Sequence, residues 1–146
     1  VVKSWMVLNQ ESPTLTAASA RKTMAEEEMS KEDMNKLTKC FDRIMEMHNL
    51  IDDKKIARRT LTRTHMISIM RVVWKSIEEK RSTYDMSKWF SKFYCGKKSA
   101  SINDEYNACA GAGSAQSSSV CRRLEILDNN YTEFFKNRES INKEVA

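Results

Sequence analysis

Apolar residues recur at intervals of three and four along most of this chain, which marks out amphipathic helices rather than strands. The cleanest stripe runs through Met34, Leu37, Phe41, Ile44, His48 and Ile51, behind a Ser30-to-Asp33 spacing that resembles a capping box. Asp52 and Asp53 mark a connection. A long helix from about Thr60 to Lys80 is then predicted to bury Met66, Ile69, Met70, Val73 and Ile77. Ile67 and Trp74 fall at the edge of that stripe, and Arg71 and Lys75 fall away from it. Thr83 can cap the next helix, in which Met86, Trp89, Phe90 and Phe93 face inward while Lys88 and Lys92 project from the far side; Gly96 fits the position after its end. A final helix sets Val120, Leu124, Leu127, Tyr131 and Phe134 on one face, with Arg122, Arg123 and Glu125 outside it.

Between these elements the pattern is weaker. Residues 1–13, with the consecutive apolar Trp5, Met6, Val7 and Leu8, read as an arm or short strand ending before Pro13. Thr14 or Thr16 can cap a helix that closes in the acidic run Glu26 to Glu28. Ser101 can cap a short helix carrying Ile102 and Tyr106. Residues 108–119 are small, uncharged and Gly/Ser-rich, a mobile loop, and residues 137–146 read as a frayed tail. The whole, residues 1–146, is expected to be one all-α domain, a single bundle of about five amphipathic helices. No uncharged apolar run reaches the roughly 20 residues that span a bilayer, and the start lacks a basic, apolar leader, so a secreted form would have lost its signal already.

Composition agrees with helix: three Gly and one Pro leave few breakers. Charge changes the picture more. Lys54 to Lys98 holds 13 of the 25 basic residues and 3 of the 20 acids, together with Trp74, Trp89, Phe90, Phe93 and Tyr94. Cations beside aromatic bulk suit a protein that binds or perturbs an anionic surface. The basic set is Arg58, Arg59, Arg63, Arg71, Lys75, Lys88, Lys92, Lys97 and Lys98, and its plain alternative is an ordinary solvated face. Nucleic acid is not an expected partner, since no finger, helix-turn-helix or RNA-binding signature accompanies the charge. Candidates for insertion into a leaflet are Trp5, Met6, Val7 and Leu8 in the arm and Ile67 and Trp74 at the helix edge; core packing is the competing reading.

Cys40, Cys95, Cys109 and Cys121 form an even set with no zinc spacing, so neither a metal nor any other cofactor is expected. Three disulfide connectivities are open, with Cys109 to Cys121 a plausible clip, and four reduced thiols are the alternative. His48 lies on an apolar stripe as a boundary histidine, and His65 is expected to face solvent. Gly111 and Gly113 lack a phosphate-loop context, and no nucleophile and base pair up, which leaves no catalytic apparatus to name. Asn130-Tyr131-Thr132 is a glycosylation sequon within a predicted helix.

Several ordered strings resemble the abalone sperm acrosomal proteins, the family of egg-coat lysin and its fusogenic paralogue. They are Lys3-Ser4-Trp5, Phe41-Asp42-Arg43, Arg59-Thr60-Leu61, Tyr84-x-Met86-x-x-Trp89, Arg122-Arg123-Leu124, Asn130-Tyr131 and Phe134-Phe135, spread over nearly the whole chain. The resemblance implies a bundle of about five helices, storage in and release from the sperm acrosomal vesicle, and a non-enzymatic role in fertilization. In one branch the partner is an egg-coat glycoprotein, bound stoichiometrically so that the vitelline envelope opens; in the other it is the egg plasma membrane, with fusion as the outcome. The added cysteines, the Ser-rich insert, the longer connection from Asn49 to Arg58 and a lower positive excess depart from lysin and favour the fusogenic branch.

Overall fold

The computed structural model describes the backbone of residues 1–96 and 101–145 and the side chains of those through 142. Among them are nine helices and no strand: α1 Val2–Asn9, α2 Ala17–Glu26, α3 Lys31–Leu50, α4 Lys54–Arg59, α5 Arg63–Ser68, α6 Met70–Glu78, α7 Thr83–Phe93, α8 Asp104–Ala110 and α9 Ser117–Val145. The chain is an all-α bundle, with more helices than the expected five because shorter ones fill its connections.

α3 begins where the sequence places it. Ser30 Oγ accepts from the Asp33 N–H, and the Asp33 carboxylate accepts from the Ser30 N–H. The same carboxylate also accepts from the Trp5 indole N–H at 3.1 Å, tying α1 to the start of α3 and holding the Asp33 carboxyl below its usual range. Replacing Ser30 by Ala removes half of this box and is expected to cost about 1 kcal/mol of stability, measurable by urea denaturation. Leu37, Cys40, Ile44 and Met47 form the inner face of α3, while Met34, predicted inside, is exposed.

α6 is the central strut, packed by α1, α3 and α9; α7 lies along α3, and α8 lies on α9. Its buried Met70, Val72 and Val73 join one contiguous core with residues from α1, α3, α7, α8 and α9. The aromatic centre of that core is Trp89, Phe90, Phe93, Tyr94, Tyr106 and Tyr131, whose contacting rings have centroids 4.3 to 6.4 Å apart. Trp89 donates its indole N–H to Asn130 Oδ1 at 2.9 Å, so the sequon asparagine is engaged inside α9.

Four expectations change. Residues 2–9 are a helix, because α1 is covered by α2, α3, α5 and α6 and so carries apolar residues on adjacent faces rather than one stripe. The predicted helix from Thr60 to Lys80 is α5 and α6, interrupted at Ile69 and preceded by the separate helix α4, which Asp53 caps by accepting from the Lys55 and Ile56 N–H groups. The supposed mobile loop at 108–119 shrinks to residues 111–116, since α8 runs to Ala110 and α9 starts at Ser117. The supposed frayed tail continues α9 through Val145, pinned on the way by Arg138 to Asp85 and Glu139 to Arg81, both at 2.8 Å. Smaller shifts of cap occur at α7, where Ser82 rather than Thr83 caps, and at α8, where Asn103 caps and Ser101 instead donates to the Phe93 carbonyl.

Candidate functional site

The helices sort the predicted cations into two classes. Arg71, expected to project away, donates to the carbonyls of Val7 and Gln10 at 2.6 Å and of Glu11 at 3.3 Å, meeting carbonyls in the last turn of α1 and just after it. Arg59 donates to the carbonyls of Tyr94 and Gly96. Lys75 pairs with Asp128 at 3.1 Å. These three brace the fold. Lys88 sits over the exposed Tyr84 ring and Lys92 over Phe134, both on the outer face of α7. Lys97 and Lys98 lie outside the described residues.

Arg58 and Arg63 belong to the second class. They stand exposed at the corner made by α4 and the start of α5, which also carries Lys54 and Lys55, cations outside the predicted basic set. All four are exposed, and among the described residues none meets a carboxylate within 4.0 Å. Leu50, the last residue of α3, and Leu61, between α4 and α5, flank α4 along the chain and have 48% and 45% of their surface exposed. Cations in the first turns of α4 and α5 oppose the helix dipole, so local stability does not account for them. The sequence signal was present: no Asp or Glu occurs from Lys54 through Ile77, and Asp53 followed by Lys-Lys-Ile-Ala-Arg-Arg has helical spacing. Reading Asn49 to Arg58 as a connection hid it.

The proposed insertion residues are corrected. Met6, Val7 and Ile67 are buried in the core. Trp5, Leu8 and Trp74 are partly buried and packed against that core; Lys36 caps the Trp74 ring at 4.9 Å. The edge of an apolar stripe is therefore covered by neighbouring helices instead of facing solvent. Among the described residues the exposed large apolar side chains are Val1, Met24, Met34, Met45, Leu50, Leu61, Tyr84, Ile102 and Ile141, none of them one of the predicted insertion residues.

The cysteines are four free thiols, so the disulfide candidates are unpaired here. Cys40 faces the core, and its burial pushes the thiol up to about 12. The connection from α8 to α9 is tied by Arg123, which donates to the Cys109 and Ser114 carbonyls at 2.6 and 2.7 Å, rather than by a bridge from Cys109 to Cys121. Native alkylation should therefore modify exposed Cys95 first and reach Cys40 only on unfolding. Mass analysis of the adducts checks this, and fewer than four alkylated cysteines in denatured, unreduced protein would reveal a bridge.

His48 takes the expected boundary role, with Nδ1 2.9 Å from the Ala57 carbonyl and 3.2 Å from Thr60 Oγ1. His65, expected in solvent, is 6% exposed. Its Nδ1 lies 2.8 Å from Tyr106 Oη, which in turn accepts from Tyr94 Oη at 2.8 Å. Burial, then the nearby Arg59 and Arg123 cations, lower its pKa to about 4. Neither imidazole meets a thiol, and among the described residues no group of three His, Cys, Asp or Glu side chains is placed to hold a metal. Nor is any helix among the described residues long and apolar enough to cross a membrane.

Set against known proteins, the chain matches no family model, no curated protein and no solved structure.

Proposed function

We propose that this protein is a non-enzymatic, secreted sperm acrosomal protein that acts in fertilization by docking on the egg plasma membrane and disturbing its lipid packing toward fusion. The reading of biological role rests on the ordered strings that resemble the acrosomal family. The observation that carries the membrane reading is the α4–α5 corner: Lys54, Lys55, Arg58 and Arg63, exposed and without carboxylate partners among the described residues, with half-exposed Leu50 and Leu61 on either side of α4 along the chain.

Magnitudes favour reversible docking. Four cations near an anionic leaflet supply about 4 kcal/mol, falling as salt rises. Burying the remaining surface of two half-exposed leucines adds about 2 kcal/mol. The total of about 6 kcal/mol corresponds to a dissociation constant of order 10⁻⁵ to 10⁻⁴ M. One copy adheres weakly, and disturbance of a leaflet needs many copies at high local concentration. Leu50 and Leu61 are the first wedge. Any contribution from α1 would require breaking the Arg71 hydrogen bonds that hold its end.

The test is leakage and lipid mixing with vesicles containing anionic lipid, compared with neutral vesicles. Salt-sensitive activity on the anionic vesicles is the expected result, and inactivity at low salt removes the membrane reading. The second reading, stoichiometric binding to an egg-coat glycoprotein, draws on the α7 face, where the exposed Tyr84 ring lies under Lys88 at 5.0 Å with Lys92 one turn on. Saturable binding to isolated egg coat, weakened by Tyr84→Ala with Lys88→Gln, would favour it.

A further inference from the structure

Between α1, α5 and the turn before α9 lies a cavity of about 70 Å³ whose polar wall is Lys3, Arg63, Thr64, Ser114 and Arg123. Three of these are cations, and among the described residues no acidic side chain lines the cavity. Leu15 and Ile67 supply its apolar floor. Since one water position takes about 10–15 Å³ by this measure, the space holds roughly five such positions, enough for a central atom with four oxygens.

Arg123 gives the cavity its character. The residue is only 2% exposed, although sequence spacing placed it outside the apolar face of α9. Its Nε donates to Ser68 Oγ at 2.9 Å, and Nη1 donates to the Cys109 and Ser114 carbonyls. Nη2 has no acceptor among the described residues, yet it is not one of the sealed, unpartnered polar atoms. The cavity that Arg123 lines is the space left for those donors. Among the described residues no carboxylate neutralises the guanidinium, and burial pulls its pKa below the ordinary value. A buried cation with open donors is costly unless an anion or water meets it.

We propose that this cavity is a binding site for one tetrahedral oxyanion, a phosphate or sulfate group, held by Arg123 Nη2, the Arg63 and Lys3 cations and the Thr64 hydroxyl. Cations reach the space from three elements, α1, α5 and α9, and four oxygens in a tetrahedral arrangement can answer three such directions at once. A planar carboxylate offers two oxygens, and chloride a single point of charge. The site shares Arg63 with the α4–α5 corner, but its binding of a free anion is tested without any membrane.

Isothermal titration of the full chain at constant ionic strength, with inorganic phosphate, sulfate and sn-glycerol 3-phosphate as probes and acetate and chloride as controls, tests the proposal. One phosphate or sulfate should bind per chain, and acetate and chloride should bind more weakly. Lys3→Gln and Arg63→Gln, both at solvent-accessible positions, should each weaken binding about tenfold while leaving the helical circular dichroism unchanged. Arg123→Lys adds a severe test if it folds. Phosphate should also raise the His65 titration midpoint, followed by NMR of its ring, because the anion offsets the neighbouring Arg123 charge. Glycerol 3-phosphate binding as tightly as phosphate assigns the site to a headgroup-type monoester; preference for the free ion assigns it to inorganic phosphate or sulfate. Absence of saturable binding at millimolar phosphate, or equal binding by the Lys3→Gln and Arg63→Gln variants and the parent, overturns the proposal.

Discussion

Replacing Lys54, Lys55, Arg58 and Arg63 together by glutamine should lower partitioning onto anionic vesicles about a thousandfold, from about 1 kcal/mol per cation. The fold should survive. All four side chains are exposed, none has a carboxylate partner among the described residues, and the first turns of α4 and α5 lose the Lys54, Lys55 and Arg63 charges that their helix dipoles disfavour, against the favoured Arg58 charge lost from the last turn of α4. A nearly unchanged unfolding midpoint would accompany the lost binding, which separates a surface effect from unfolding. The control is glutamine at Lys88 and Lys92, cations of the α7 face, where a much smaller loss is expected. Leu50→Ser with Leu61→Ser should do something different: vesicle association falls modestly, while leakage at equal bound protein falls steeply. Cosedimentation against dye release separates the two. If the quadruple variant binds as well as the parent, the α4–α5 corner is not the docking surface.

The second large effect is acid sensitivity centred on His65. Tyr94 donates to Tyr106, and a neutral His65 ring with an unprotonated Nδ1 can accept the Tyr106 proton in turn. The groups facing the ring are cationic Arg59 from α4 and Arg123 from α9, with Tyr94 and Tyr106 stacked against it at centroid distances of 5.0 and 5.7 Å. None offsets an added positive charge. The folded pKa of about 4 lies below the ordinary 6.5, so between those values the unfolded chain binds more protons than the folded one. Stability is unaffected above about pH 6.5, falls as pH drops toward 4, and levels off in this respect below it. A difference of this size corresponds to roughly 3 kcal/mol. Urea denaturation between pH 7.5 and 4 should show that loss in the parent. In His65→Phe it should be much reduced, at the expense of about 1 kcal/mol at neutral pH for the Tyr106 hydroxyl left without its acceptor. Parallel pH profiles for the two proteins would contradict the assignment.

What the sequence made legible was whatever repeats within one element. α3, α7 and α9 each turn a single apolar stripe toward the core, and the spacing of Leu37 with Ile44, Met86 with Phe93, and Val120 with Tyr131 reports it directly. α1 escaped because several helices cover it at once, which replaces the helical period by the run Trp5 to Leu8. The breaks around α4 and after α6 carry no Gly or Pro; Lys80 adopts a left-handed φ of 55° that a glycine would have announced. Of the site, the local excess of cations could be read, but not the division of labour within it. Arg59, Arg71 and Arg123 are held by carbonyls distant in sequence, 9 to 64 residues away, and nothing in the periodicity of their own helices distinguishes them from Arg58 and Arg63. His65 is hidden for the same reason: its partner Tyr106 comes from another helix, 41 residues on.

The central claim is that a cationic corner bearing exposed leucines acts on anionic lipid, and dye release measured side by side on anionic and neutral vesicles, over rising salt, addresses it most directly. Release confined to anionic vesicles, strongest at low salt and suppressed as screening grows, is the expected outcome. Equal release from both vesicle types, or none from anionic vesicles at low salt even at high protein-to-lipid ratio, would contradict it.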